Sequence, residues 1–255
     1  MGKTALITGA TSGIGKATAQ LLSENKFDLI ITGRREDRLK TVASELETQY
    51  GVNVKSLCFD VRDYDAVTRN IEALQLKNRQ IDVLVNNAGL ASGLDKLQDG
   101  DVEDWNKMID TNVKGLLYMS RQVIPMMIKQ GRGHIVNIGS IAGKEVYPNG
   151  NVYCGTKHMV DALNKSMRRE LAEHGIKVSA VNPGAVETEF SVVRMHGNEE
   201  KAKKVYDGFE NLVAHDIADA VLYVVTRPEH VNINDLIIMP KAQPAAGNII
   251  RDKGY

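Results

Sequence analysis

Short apolar runs recur along the chain: TALIT (4–8), DLIIT (28–32), VKSLCF (54–59), IDVLVNN (81–87), HIVNIGS (134–140), KVSAVNP (177–183) and DLIIMP (235–240). Between them lie stretches of helical length whose apolar residues return every three or four positions. Runs that are apolar nearly throughout belong to strands covered on both faces, and crossovers of helical length place such strands parallel. The pattern predicts an α/β fold, a doubly wound parallel sheet with helices on both sides, in a single domain over residues 1–255. No linker rich in proline, serine or glycine divides it. The rhythm breaks at 187–211, ETEFSVVRMHGNEEKAKKVYDGFEN, where helical spacing runs between two predicted strands without a strand of its own. Such a segment suits a flap over a site.

Composition narrows the partners. The 255 residues are 43% hydrophobic, enough for a substantial core, and Lys+Arg and Asp+Glu are both 32, so no net field gathers nucleic acid or an anionic membrane. No apolar run approaches the roughly 20 residues that span a bilayer, and MGKTALITGA lacks a long apolar core followed by a cleavage site. The expectation is a cytoplasmic protein whose partners are small molecules or copies of itself. Cys58 and Cys154 have neither metal-like nor redox-pair spacing, and the six histidines form no ligand motif, so no metal site is expected.

Candidate chemistry begins at TGATSGIG, Thr8 to Gly15, between the first strand and the first helix. Gly9, Gly13 and Gly15 let the backbone turn tightly and approach a pyrophosphate, with Thr11, Ser12 and Ile14 in the same turn, while a helix amino terminus offers unpaired N–H groups. The spacing differs from Gly-x-Gly-x-x-Gly, and no Gly-Lys-Ser/Thr of a nucleotide-hydrolysing loop follows. The second strand ends in Thr32 and Gly33, then Arg34 and Arg35. No carboxylate stands there to bond a ribose 2′-hydroxyl, whereas two guanidiniums suit the 2′-phosphate of NADP.

In NVYCGTKHMV, Tyr153 and Lys157 lie four residues apart, about one helical turn, so both side chains can share a face. Cys154 beside them has no local base and reads as a small buried residue.

Together TGATSGIG, NNAG (86–89), NIGSIAG (137–143), Tyr153-x-x-x-Lys157 and NPGAVET (182–188) resemble the short-chain dehydrogenase/reductase family, in the right order over nearly the whole chain. The resemblance implies a seven-stranded Rossmann-like sheet, a homo-oligomer (tetramer favoured, dimer possible), and catalytic residues Asn112 in DTNVKG, Ser140, Tyr153 and Lys157. The Lys157 charge should favour the phenolate and lower the Tyr153 pKa from its free value near 10, fitting Tyr153 as acid and base. Ser140 would hold the substrate oxygen, Lys157 the nicotinamide ribose, and Asn112 a water that links Lys157 to solvent. By the same resemblance Asp60 and Val61 meet the adenine, with a helix cap as the other reading of Asp60. Asn87 meets the cofactor at the end of the fourth strand. Pro183, Gly184, Val186 and Thr188 close on the nicotinamide and pyrophosphate.

VEDWNKMIDTNVKGLLYMSR, GNVYCGTK, TEFSVVR and above all PEHVNINDLIIMP (228–240) are similar to the NADP-dependent 3-hydroxy acid dehydrogenase subgroup, which implies serine, allo-threonine and related 3-hydroxy acids as substrates. A carboxylate substrate needs a cation, and Arg194 in the flap is a candidate clamp, with a lid-surface or subunit-contact role as the alternative. Two departures bear on substrate range: GKEVYPNG (143–150) brings Lys144 and Glu145 near the expected substrate mouth, and the loop PGAVETEF reads one residue short of the subgroup's. The competing readings are a 3-oxoacyl-thioester or small-ketone reductase and, in another class, a non-catalytic NADP sensor. A sensor would be expected to lose the Tyr or the Lys.

Overall fold

The computed structural model describes residues 2–77 and 79–252. Its elements run β1 (Thr4–Ile7), α1 (Gly13–Glu24), β2 (Asp28–Gly33), α2 (Glu36–Tyr50), β3 (Val54–Cys58), α3 (Tyr64–Gln75), β4 (Val83–Asn86) and α4 (Val102–Ile109). A π-helical turn (Asp110–Gly115) then leads into α5 (Leu116–Gln130), β5 (Gly133–Ile138), α6 (Asn151–Leu171) and β6 (Ile176–Pro183). Last come β7 (Val186–Glu187), α7 (Glu189–Arg194), α8 (Glu199–Lys204), β8 (Leu212–Val213), α9 (Ala214–Val225) and β9 (Asp235–Ile238).

All seven apolar runs are strands of one parallel sheet in the order β3-β2-β1-β4-β5-β6-β9. Period-two alternation divides each central strand between two cores. Ala5 and Ile7, Leu29 and Ile31, and Val83 and Val85 face a layer with α1, α2 and α9, while Leu6, Ile30 and Leu84 face α3, α5 and α6. The edge strands depart from the expectation of burial on both faces. The side chains of β3 are half-buried up to an exposed Cys58, and those of β9 alternate between exposed and half-buried, because each strand has a neighbour on one side alone. The order reverses between β1 and β4, so the crevice beyond their carboxyl ends is the place this topology offers a ligand.

Segment 187–211 differs from its expectation at the root. Glu187 belongs to β7, which pairs in parallel with β8, so a small two-stranded sheet anchors both ends of the segment that holds α7 and α8. Among the described residues no helix is long and apolar enough to cross a membrane.

Candidate active site

A cavity of about 560 Å³ opens at the carboxyl ends of the strands. The glycine turn forms one end. Gly9 and Gly13 have φ of 68° and 52°, which side chains rarely adopt, and a Cβ on Gly15 would lie 2.3 Å from the Gly9 carbonyl. Thr11, Ser12 and Ile14 line the cavity beside Gly9 and Gly13, while Gly15 packs behind them. Asn87 lines it too, and its amide donates to the carbonyls of Thr8 at 2.8 Å and Gly9 at 3.2 Å. The NNAG motif thus braces the glycine turn across the β1–β4 boundary. A backbone cradle that no side chain could occupy fits a pyrophosphate.

Arg35 at the end of β2 donates to Thr11 Oγ1 at 2.9 Å and Ser12 Oγ at 2.8 Å, which sets its guanidinium at the mouth of this turn. Arg35 and Arg38 also donate to the two oxygens of Glu189, each at 2.8 Å. The Arg35 hydrogen bond holds the Glu189 carboxyl below its usual pKa. Arg34 lines the cavity and stands 3.6 Å from Asp60. Asp60 does not cap α3; Asp63 does, accepting from Ala66 N at 3.0 Å. Burial alone would raise the Asp60 pKa, but forked hydrogen bonds from Arg62 take it below the usual value. Val61 lines the same wall.

At the reacting end, α6 begins at Asn151, so Tyr153 and Lys157 occupy its first two turns. Both are buried, and the Lys157 ammonium lies 5.9 Å from the centre of the Tyr153 ring. Ser140 follows β5; its hydroxyl accepts from Ala142 N at 3.1 Å and, like Tyr153, lines the cavity. The expectation of a lowered Tyr153 pKa is not met. Burial holds the phenol well above its usual value, with the nearby Tyr147 adding to the rise and Ser140 opposing it. Lys157, desolvated, is itself pushed down to about 8. Its Nζ donates to the Ile138 carbonyl at 3.0 Å and has further hydrogens for the cavity it lines.

Asn112 is buried in the π turn and does not line the cavity. Its Oδ1 accepts from Leu90 N at 2.8 Å, and its Nδ2 donates to Leu90 O at 2.8 Å and Thr156 Oγ1 at 3.1 Å. The side chain thus braces the loop after β4, and its Oδ1 keeps a second lone pair. Pro183, Gly184, Val186 and Thr188 line the opposite wall, and Thr188 caps α7.

Arg194 sits over two phenol rings, 5.6 Å from the Tyr147 centre and 5.5 Å from the Tyr153 centre, and its Nε donates to Gly93 O at 3.3 Å. Lys144 and Glu145 do not face the mouth. Lys144 pairs with Asp161 at 2.6 Å and with Asp235, and Glu145 accepts from Ala246 N at 2.8 Å. They tie α6, β9 and the carboxyl-terminal segment together.

Sequence reasoning missed Arg38, Glu189, Tyr147, Phe190, Gln243 and Ile249. Arg38 lies one turn beyond Arg34, a spacing that could have drawn attention to it. Phe190 meets the Tyr153 ring edge-on at 5.7 Å, while Gln243 and Ile249 arrive on the carboxyl-terminal segment and line the cavity. No local pattern marks them.

The sequence pattern of the short chain dehydrogenases matches residues 3–200. An NADP-dependent 3-hydroxy acid dehydrogenase of Schizosaccharomyces pombe is 45% identical over 98% of this chain and 97% of its own length. A serine 3-dehydrogenase of Agrobacterium fabrum is 42% identical over 97% of each chain. Among solved structures, a serine dehydrogenase in its closed form with NADP+ superposes with a TM-score of 0.90 at 41% identity, covering 98% of this chain and 100% of that one. Similarity at this level reaches well beyond the glycine turn and the Tyr153 helix, and the chain belongs to the short-chain dehydrogenase family.

Proposed function

We propose that this protein is an NADP-dependent oxidoreductase that interconverts a secondary alcohol and a carbonyl by hydride transfer, with 3-hydroxy acids such as serine, allo-threonine and 3-hydroxybutyrate-like compounds as substrates. One observation carries the reading: buried Tyr153, Lys157 and Ser140 converge at one end of a cavity whose other end presents Arg35 with the Thr11 and Ser12 hydroxyls. The glycine cradle and the guanidinium fit the pyrophosphate and 2′-phosphate of NADP. The Schizosaccharomyces pombe and Agrobacterium fabrum relatives, with their 3-hydroxy acid and serine activities, support the substrate class.

When bound, NADP supplies a nicotinamide carbon that accepts hydride from the alcohol carbon or returns it to the carbonyl. The chain's own residues handle the proton. Ser140 holds the substrate oxygen beside the ring; Tyr153 accepts the hydroxyl proton as the phenolate in oxidation and donates it as the phenol in reduction. Lys157 places a cation where the phenolate forms, and in the buried site that charge acts with little screening. Asn112 fixes the loop after β4 and, with the backbone carbonyl freed in the π turn, holds a water that links Lys157 to solvent. Segment 187–211 serves as a flap, and Arg194 faces the substrate carboxylate from it.

We infer a cytoplasmic homo-oligomer, a tetramer in preference to a dimer. Support comes from the neutral charge balance, the unpaired Cys58 and Cys154, and the exposed apolar side chains of Ile109, Leu117 and Ile128 along α4 and α5.

The test is turnover of NADP+ and NAD+, each with L-allo-threonine, L-serine, 3-hydroxybutyrate and 2-propanol, beside Tyr153→Phe. Turnover confined to NADP+ with the 3-hydroxy acids, and lost by about 10²- to 10⁴-fold in the variant, is expected. Equal use of NAD+, or 2-propanol turned over as well as the acids, would refute it.

A further inference from the structure

The far end of the cavity holds a carboxylate where an anion receptor is built. Arg35 is fixed by the Thr11 and Ser12 hydroxyls of the glycine turn, and Arg38 stands in the first turn of α2. Both guanidiniums converge on Glu189, the first residue of α7, at 2.8 Å each. Glu189, Arg34, Arg35 and Ser12 line the same cavity. Two guanidiniums converging on one point, one of them held in place by two hydroxyls, make a site for a phosphate monoester, and the residue now filling it is carried by the root of the flap.

A phosphate monoester brings a charge of about −1.5 to −2 and three acceptor oxygens, against one charge and two oxygens for a carboxylate. It therefore competes well for the same donors. A ribose hydroxyl is neutral and cannot. The Glu189 pairs are about half exposed, so their joint strength is modest and the exchange lies within reach of a ligand.

We propose that Glu189 is a specificity-determining residue: it occupies the 2′-phosphate receptor in the free protein and is displaced by a 2′-phosphorylated adenosine, which releases the root of α7, whereas a cofactor with a free 2′-hydroxyl leaves the pairing closed. The proposal rests on the NADP reading above. It gives the phosphate two effects, attraction to the arginines and release of the flap from the adenine end.

The experiment titrates adenosine 2′,5′-bisphosphate and adenosine 5′-monophosphate into the full chain and into Glu189→Gln by calorimetry at one fixed salt concentration, with amide hydrogen exchange read over α7. Wild type should prefer the bisphosphate. Glu189→Gln should tighten it by about three- to tenfold, the joint value of two exposed ion pairs, and leave the monophosphate within about twofold. Exchange in α7 should rise in wild type when the bisphosphate binds, and should already be high in the ligand-free variant. A bisphosphate affinity that is unchanged or weakened in the variant would overturn the proposal, since Glu189 would then be orienting the arginines for the phosphate. So would α7 exchange in wild type that ignores the bisphosphate, a readout that does not depend on the variant's folding. Wild type binding both nucleotides equally would remove the NADP reading and the proposal with it.

Discussion

The Lys157 ammonium lies 5.9 Å from the centre of the Tyr153 ring and donates to the Ile138 carbonyl at 3.0 Å, and burial lowers its pKa to about 8. A buried cation next to a neutral phenol costs stability in the cofactor-free protein, and in the proposed reaction the same cation is what the phenolate needs.

The cost has a defined pH window. Between pH 8 and the usual 10.5, the unfolded chain keeps a proton on Lys157 that the folded chain releases, so stability should rise with pH there. Below pH 8 the full penalty, up to about 3 kcal/mol, is present. Lys157→Met should therefore gain in denaturant stability relative to wild type at pH 7 compared with pH 10.5, while losing turnover. A stability difference that does not change between the two pH values would argue against a desolvated ammonium.

Arg194 reaches the two phenol rings from the flap, and a carboxylate on the substrate would meet its guanidinium. Arg194→Met should raise KM for 3-hydroxy acids by about 10- to 100-fold, the strength of a charge-assisted hydrogen bond, and alter KM for an uncharged alcohol far less. Steady-state kinetics on matched acid and alcohol substrates checks this. Equal effects would make Arg194 a structural residue that pins Gly93.

Asp104 tethers the segment that follows α7. Its buried carboxylate accepts from Ser92 Oγ at 2.6 Å and contacts His196 Nε2 at 3.0 Å, and His196 holds a left-handed φ of 53° to reach it. Asp104→Ala should destabilise the fold by about 2–3 kcal/mol by leaving Ser92 and His196 without their partner. His196→Ala should cost much less and should open 189–204 to protease. Denaturant titration and limited proteolysis distinguish the two.

His134 on β5 is buried with Nε2 2.8 Å from Ser179 Oγ, and burial, aided by Lys177 and Lys3, takes its pKa down to about 3. Between pH 6.5 and 3 the unfolded chain binds a proton that the folded chain refuses, so stability should fall as the pH drops through that window, by up to about 5 kcal/mol. His134→Gln, which cannot take up the proton, should flatten the stability profile of acid titrations over that range.

The sequence by itself determined the sheet, the glycine turn and the Tyr153–Lys157 pairing on one helix face. The five central strands were legible because a strand covered on both faces must be apolar nearly throughout, as TALIT and HIVNIGS are, and the two edge strands by their place in the same rhythm. The glycine turn and the Tyr153–Lys157 pair were legible because each is local: its geometry follows from backbone spacing within a few residues. Only the tertiary structure decided what stands around them. Glu189 meets Arg35 across 154 positions and Gln243 reaches the Ala185 amide across 58. Lys144 turns away from the mouth to Asp161 and Asp235. The direction of the Tyr153 pKa also belonged to the fold, because burial outweighs the lowering by Ser140 and Arg194. Periodicity records which face of an element is covered, but not which distant side chain covers it; that is settled when the packed layers bring loop residues together.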